Sequence, residues 1–93
     1  MSINKFRIKD YREINYIYKQ SFPKEERKPL LLLIFNILLN RAELWCLCEE
    51  NDICGFIYII NYQNMVFILY LAISNLKRSK GYGTYLLNWC LNS

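Results

Sequence analysis

The sequence predicts an α+β fold of layered, α/β type, in which helices cover a largely antiparallel sheet in the order β-α-α-β-β-β-α. Three observations predict it. Residues 43–74 hold three apolar, strand-like runs separated by two short polar breaks, Asn51-Asp52 and Gln63-Asn64. Breaks that short join antiparallel neighbours, because parallel strands need a long crossover. Helical spacing of apolar residues flanks this meander on both sides, at Ile14, Ile17 and Tyr18 upstream and at Tyr82, Tyr85, Leu86 and Trp89 downstream.

Each element has its own warrant. Lys5-Phe6-Arg7-Ile8-Lys9 alternates charged and apolar residues, which predicts a half-buried first strand with Phe6 and Ile8 inward. Asp10 is the expected N-cap of the first helix, with Glu13 at the capping-box spacing. The helix runs to about Gln20, and Phe22-Pro23 ends it, since the residue before a proline is pushed out of the helical region. Residues 24–28 form a charged link. Pro29 then suits the first turn of a Leu-rich helix over residues 29–41. Its apolar run, residues 30–39, is far shorter than the ~20 residues of a membrane span. Asn36 and Arg41 interrupt or close it, so it reads as a buried amphipathic helix.

Glu43 to Glu49 sets Leu44, Cys46 and Cys48 on one face and Trp45 and Leu47 on the other. Both faces are apolar, which predicts a sheet covered on both sides. The third strand spans 53–62 and the fourth 65–74. A loop over 75–80 leads to a last helix over 81–91.

Composition narrows the function. The chain is 93 residues long, one domain at most, and its 54% hydrophobic content is rich enough to imply a surface that something normally covers. The net charge is +4, but the basic residues do not form the dense stripe of a duplex-DNA reader. They leave a small positive spot, Lys77, Arg78 and Lys80, with no acidic residue after Asp52. That spot suits a small polyanion, so no nucleic-acid or membrane partner is expected. The four cysteines lack the paired Cys-x-x-Cys knuckles of a zinc site, and the chain has no histidine, so no metal is expected. The N-terminus Met-Ser-Ile-Asn-Lys is not a signal peptide, which points to reduced thiols and a cytoplasmic location.

The most informative stretch is residues 78–87, Arg-Ser-Lys-Gly-Tyr-Gly-Thr-Tyr-Leu-Leu. It joins a wholly apolar strand to a helix whose first turn carries two glycines. The N–H groups of residues 79–84 are then donors without helical partners, and the helix dipole adds positive charge. Gly81 and Gly83 let the backbone approach an anion, Arg78 and Lys80 supply charge, and Thr84 supplies a hydroxyl. A Walker loop and a Rossmann fingerprint are both absent.

The Arg78-x-x-Gly81-x-Gly83 pattern after an apolar strand resembles the acyl-CoA signature of the GNAT N-acyltransferase superfamily. Leu69-Tyr70-Leu71-Ala72-Ile73-Ser74 resembles that family's fourth strand, and Ser21-Phe22-Pro23-Lys24-Glu25-Glu26-Arg27 the stretch joining its first two helices. The resemblance runs in the family's order and implies a single partial GNAT domain over 1–93, ending after the acyl-CoA-binding strand-turn-helix. It implies acetyl-CoA as acyl donor and transfer to an amine by direct attack on the thioester. Arg78, Ser79, Lys80, Gly81, Tyr82, Gly83 and Thr84 would hold the pyrophosphate. Backbone groups near Leu71 and Ile73 would hold the pantetheine and polarise the thioester carbonyl.

No general acid or base is assigned, since residues 64–76 contain no Asp or Glu. Glu25 and Glu26, in the loop on the family's acceptor side, are candidates for contacting the amine. The alternative is a non-catalytic CoA-binding or protein-interaction module that retains half of the fold. Without a fifth strand, residues 65–74 would form a long apolar edge, which predicts a homodimer or other self-association. A second route would be the apolar stripe of the last helix.

Overall fold

The computed structural model describes residues 1–92. One four-stranded antiparallel sheet organises them, in the spatial order β1 (Ser2–Lys5), β2 (Ala42–Glu49), β3 (Asp52–Tyr62), β4 (Met65–Ile73). Helices α1 (Tyr11–Ser21) and α2 (Leu30–Leu38) cover one face, and α3 (Tyr82–Leu91) covers the other. This is the predicted order.

Period-two alternation decides which side chain meets which helix. Leu44 and Cys46 of β2, Phe56 and Tyr58 of β3, and Tyr70 and Ala72 of β4 pack under Ile14, Ile17 and Tyr18 of α1 and Leu33 and Ile34 of α2. Trp45, Leu47, Ile57, Ile59, Leu71 and Ile73 point the other way, around the fully buried Leu86 of α3. Burying Leu86 alone stabilises the docked helix by about 2 kcal/mol.

Both hairpins are two-residue turns with left-handed residues. Gln63 (φ 49°) and Asn64 (φ 66°) join Tyr62 to its partner Met65, as expected. The first turn is Glu50-Asn51 (φ 50° and 72°), one residue earlier than the sequence suggested, because Glu49 pairs with Asp52.

The beginning of the chain differs from expectation. The first strand is Ser2–Lys5, and the chain then bends through a short 3-10 helix at Ile8–Asp10. Phe6 still packs against the core, but Ile8 lies beyond the bend and is 72% exposed. Asp10 precedes α1 in a helical conformation and makes no side-chain cap there. Its carboxylate instead accepts the Arg7 N–H at 3.0 Å, closing the 3-10 helix.

Helix α2 is also shorter than predicted. Asn40 adopts φ 60°, its N–H donates to Ile37 O, and the Arg41 N–H donates to Asn36 O. That reciprocal pair ends a helix with a left-handed residue, here asparagine in the usual place of glycine. Leu30, Leu33 and Ile34 are buried, whereas Leu31, Leu32, Phe35 and Leu38 face outward.

Strand β4 carries a bulge. Tyr58 pairs with Tyr70 and Ile59 with Ile68, which leaves Leu69 as the extra residue. The bulge divides the strand. Tyr70 to Ile73 lie under the helices, whereas Met65, Val66 and Phe67 are 57%, 59% and 47% exposed.

Candidate functional site

The site grows from the end of β4. The Ser74 N–H donates to Cys54 O at 2.7 Å, so Ser74 faces β3. Antiparallel alternation then turns Ala72 and Tyr70 toward β3 and leaves the backbone N–H and C=O of Leu71 and Ile73 pointing out from the edge. The side chains of both pack inward against the second cluster. Leu71 and Ile73 thus present backbone, not side chain, at the free edge.

After Ser74 the chain makes a 3-10 turn at Asn75–Lys77, and α3 starts at Tyr82. Three sets of contacts hold the connection: a tether from Asn75, a clamp by Arg78 and a brace at Glu49. The Asn75 N–H donates to Gln20 Oε1 at 3.1 Å. Arg78 Nε donates to Ile73 O at 3.0 Å, and Arg78 Nη2 donates to Ser21 Oγ at 3.2 Å. Arg78 therefore works here as a clamp between β4, α1 and the turn. Two of its five donors are committed to the protein.

The third contact is a brace across the sheet end. Glu49, the last residue of β2, accepts a short hydrogen bond from the Tyr82 hydroxyl and pairs with Lys77 Nζ at 3.0 Å. The Tyr82 hydrogen bond, and after it that of Lys77, holds the Glu49 carboxyl below its ordinary range. The same carboxylate raises the pKa values of Lys77 and Tyr82 through their hydrogen bonds to it. Of the three cations in this region, Lys77 is thus matched and Arg78 is clamped. Lys80 is exposed, with no ion pair among the described residues.

Ser79 and Gly81 both take left-handed φ, 66° and 79°. Gly81 is the residue before α3 and offers no side chain to cap it. The first helical bond of this turn runs from the Tyr85 N–H to Gly81 O at 3.0 Å. The N–H groups of Tyr82, Gly83 and Thr84 precede it, and a helix start gives them no internal acceptor. A methyl group built on Gly83 would meet only Ile73 Cγ1, at 3.9 Å, which is an ordinary contact. Nothing in the protein therefore requires glycine at 83. The missing side chain leaves room at the first turn of α3, where an approaching anion would meet backbone amides.

Glu25 and Glu26 lie in an exposed 3-10 turn at Lys24–Glu26. The backbone carbonyl of Glu26 accepts the Tyr70 hydroxyl at 3.1 Å. The apolar stripe of α3 is not a free face: Tyr82, Leu86 and Trp89 pack on the sheet, with the Trp45 and Trp89 rings 5.1 Å apart, and only Tyr85 of the four is exposed. Burial pushes the Cys46 thiol up to about 12. Among the described residues no three metal-ligating side chains cluster, and no helix is long and apolar enough to cross a membrane.

The sequence matches the Acetyltransferase (GNAT) family over residues 11–93. The chain belongs to the GNAT acetyltransferase family. Solved structures share its fold. A GNAT-family protein from Bacteroides thetaiotaomicron superposes with a TM-score of 0.83 at 19% identity, over 99% of this chain and 55% of that one. A GNAT family acetyltransferase from Staphylococcus aureus gives 0.67 at 24% identity, over 99% of this chain and 77% of that one. A transcriptional regulator from Bacillus halodurans gives 0.77 at 15% identity, over 98% of this chain and 71% of that one. The chain thus spans little more than half of the Bacteroides protein. No protein of curated function matches it in sequence.

Sequence reasoning missed three residues that hold this turn in place: Gln20, Ser21 and Glu49. Gln20 and Ser21 tether a turn 55 and 57 residues away. The one signal for Glu49 was that it is a carboxylate at the end of a strand, facing a chain that otherwise lacks acids in its last third.

Proposed function

We propose that the chain is an acetyl-CoA-dependent N-acetyltransferase whose pyrophosphate cradle is the turn from Arg78 to Thr84. The observation that carries this reading is the open glycine at 83 before the unpartnered amides of Tyr82, Gly83 and Thr84. Lys80 would lend its charge, while Arg78, Tyr82 and Ser79 keep the turn in shape. The outward N–H of Leu71 or Ile73 would donate to the thioester oxygen, where negative charge grows as the carbonyl is attacked. The Ile73 carbonyl is occupied by Arg78, so Leu71 offers the freer pair of backbone groups.

Acetyl-CoA supplies an activated acetyl group. The amine nitrogen forms a bond to the carbonyl carbon, the carbon–sulfur bond breaks, the amine loses a proton and the thiolate gains one. Neither Glu25 nor Glu26 is favoured as the base, since both are exposed in their loop.

The same reading takes residues 1–93 as one partial GNAT domain in the cytoplasm. It also gives the chain a self-association surface at the β4 edge, supported by the exposure of Met65, Val66 and Phe67. Calorimetric titration with acetyl-CoA and with CoA tests the assignment. Saturable binding that Gly83→Glu abolishes is expected. A well-folded chain that binds neither would leave a non-catalytic interaction module.

A further inference from the structure

Between α2 and the strands β3 and β4 lies a cavity of about 380 Å³. Leu32, Leu33, Ile60 and Leu69 supply its apolar wall, and the cations Lys28 and Arg41 stand among its lining residues. No carboxylate lines it. Glu43, which accepts a hydrogen bond from Asn61 at 2.7 Å, belongs to the opposite face of the sheet, where it also accepts the Trp45 indole N–H. The cavity's buried hydroxyl is spoken for: Tyr58 donates to Leu33 O at 2.7 Å, and burial pushes its pKa up to about 12. Neither Lys28 nor Arg41 has an ion-pair partner among the described residues.

The cavity touches the reacting edge. Leu69, the bulged residue of β4, lines it and stands two residues before Leu71, whose backbone points outward. Two residues of strand span about 7 Å, within reach of one small molecule.

Charge then selects the molecule. An amine attacks only when neutral, and two nearby cations disfavour its ammonium form. They repel polycations further, and no carboxylate offsets this. An anionic group would meet Arg41, whose planar guanidinium binds a carboxylate through two donors. The leucines and Ile60 would take an apolar body.

Resting on the acyl-transfer reading, we infer that this cavity is the acceptor pocket and that the acceptor is a small amine with an apolar body and one carboxylate, as in an apolar α-amino acid. The amine nitrogen gains the acetyl carbon and loses its proton, and the carboxylate stays unchanged.

The test titrates the full chain with L-phenylalanine, L-leucine, phenethylamine and spermidine, and separately with acetyl-CoA. One of the two amino acids should bind tighter than phenethylamine and spermidine by roughly tenfold. Arg41→Glu, an exposed position, should erase that preference while circular dichroism stays unchanged. Acetyl-CoA binding with no preference among the amines overturns the inference and leaves the acyl-transfer reading standing. Preference among the amines without acetyl-CoA binding upholds the pocket's chemistry and overturns the acyl-transfer reading. An Arg41→Glu protein that keeps the wild-type preference overturns the role of charge.

Discussion

Gly55 of β3 and Gly83 of α3 both abut Ile73 of β4, and the space around them differs sharply. At Gly55 the neighbouring strand comes so close that a methyl group would lie 2.5 Å from the Ala72 carbonyl oxygen and 2.6 Å from Ile73 Cδ1. The protein's own packing forbids a side chain there. At Gly83 the nearest atom would be 3.9 Å away. There the protein would accept a side chain, so its packing does not ask for glycine. The first glycine is required by the fold; the second is accounted for by the proposed pyrophosphate cradle.

Substitution separates the two. Gly55→Ala should be the most damaging change, because the clash is with backbone that cannot rotate away. Overpacking of this kind costs about 3 kcal/mol. In a chain of this size that lowers the melting temperature by roughly 15 °C, readable by circular dichroism. A melting point unchanged by Gly55→Ala would break the comparison from the fold side.

Gly83→Glu should do the reverse. It should weaken acetyl-CoA binding by roughly tenfold or more, about 1.4 kcal/mol, by filling the cradle with like charge. Stability should hold or rise slightly, since an acidic side chain suits a helix N-terminus. Calorimetry and thermal melting on the same sample decide it; a variant with full affinity would break the comparison from the site side.

The halves of β4 extend the contrast. Leu71 packs into the second cluster, so Leu71→Lys would unfold the strand whether or not an interface exists. Phe67 is 47% exposed, so Phe67→Lys should leave stability within about 0.5 kcal/mol. If the edge mediates self-association, light scattering should then report a shift to monomer. An unchanged mass would remove β4 as the interface.

The smallest effect concerns the Glu49 brace. Its folded pKa lies below the ordinary 4.5, so its stabilisation is complete above the unfolded value and disappears as pH falls through the folded one. Wild type should therefore melt higher than Glu49→Gln at about pH 7, and the gap should close as pH falls below the ordinary carboxylate range. A gap independent of pH would mean that shape, not charge, fixes the turn.

Much of this was legible in the chain itself. Alternation at Leu44, Trp45, Cys46 and Leu47 identified a strand buried on both faces, and Gln63-Asn64 identified its turn, because period and turn chemistry are local. The first strand was misplaced because five alternating residues, Lys5 to Lys9, do not reveal where a bend interrupts the period. The loss of the Asp10 cap has the same origin, since a competing N–H at Arg7 lay within reach. The glycines and cations of residues 77–84 marked the turn. Which cations are free was not legible, because the partners of Lys77 and Arg78 come from β2 and α1.

Arg78 and Asn75 bind Ser21 and Gln20, so opening of the turn removes two hydrogen bonds from the last residues of α1. Any anion that steadies the turn therefore slows the fraying of that helix end. Its signature would be slower hydrogen exchange at the Phe22 amide, which is bonded to Tyr18 O next to the clamped Ser21.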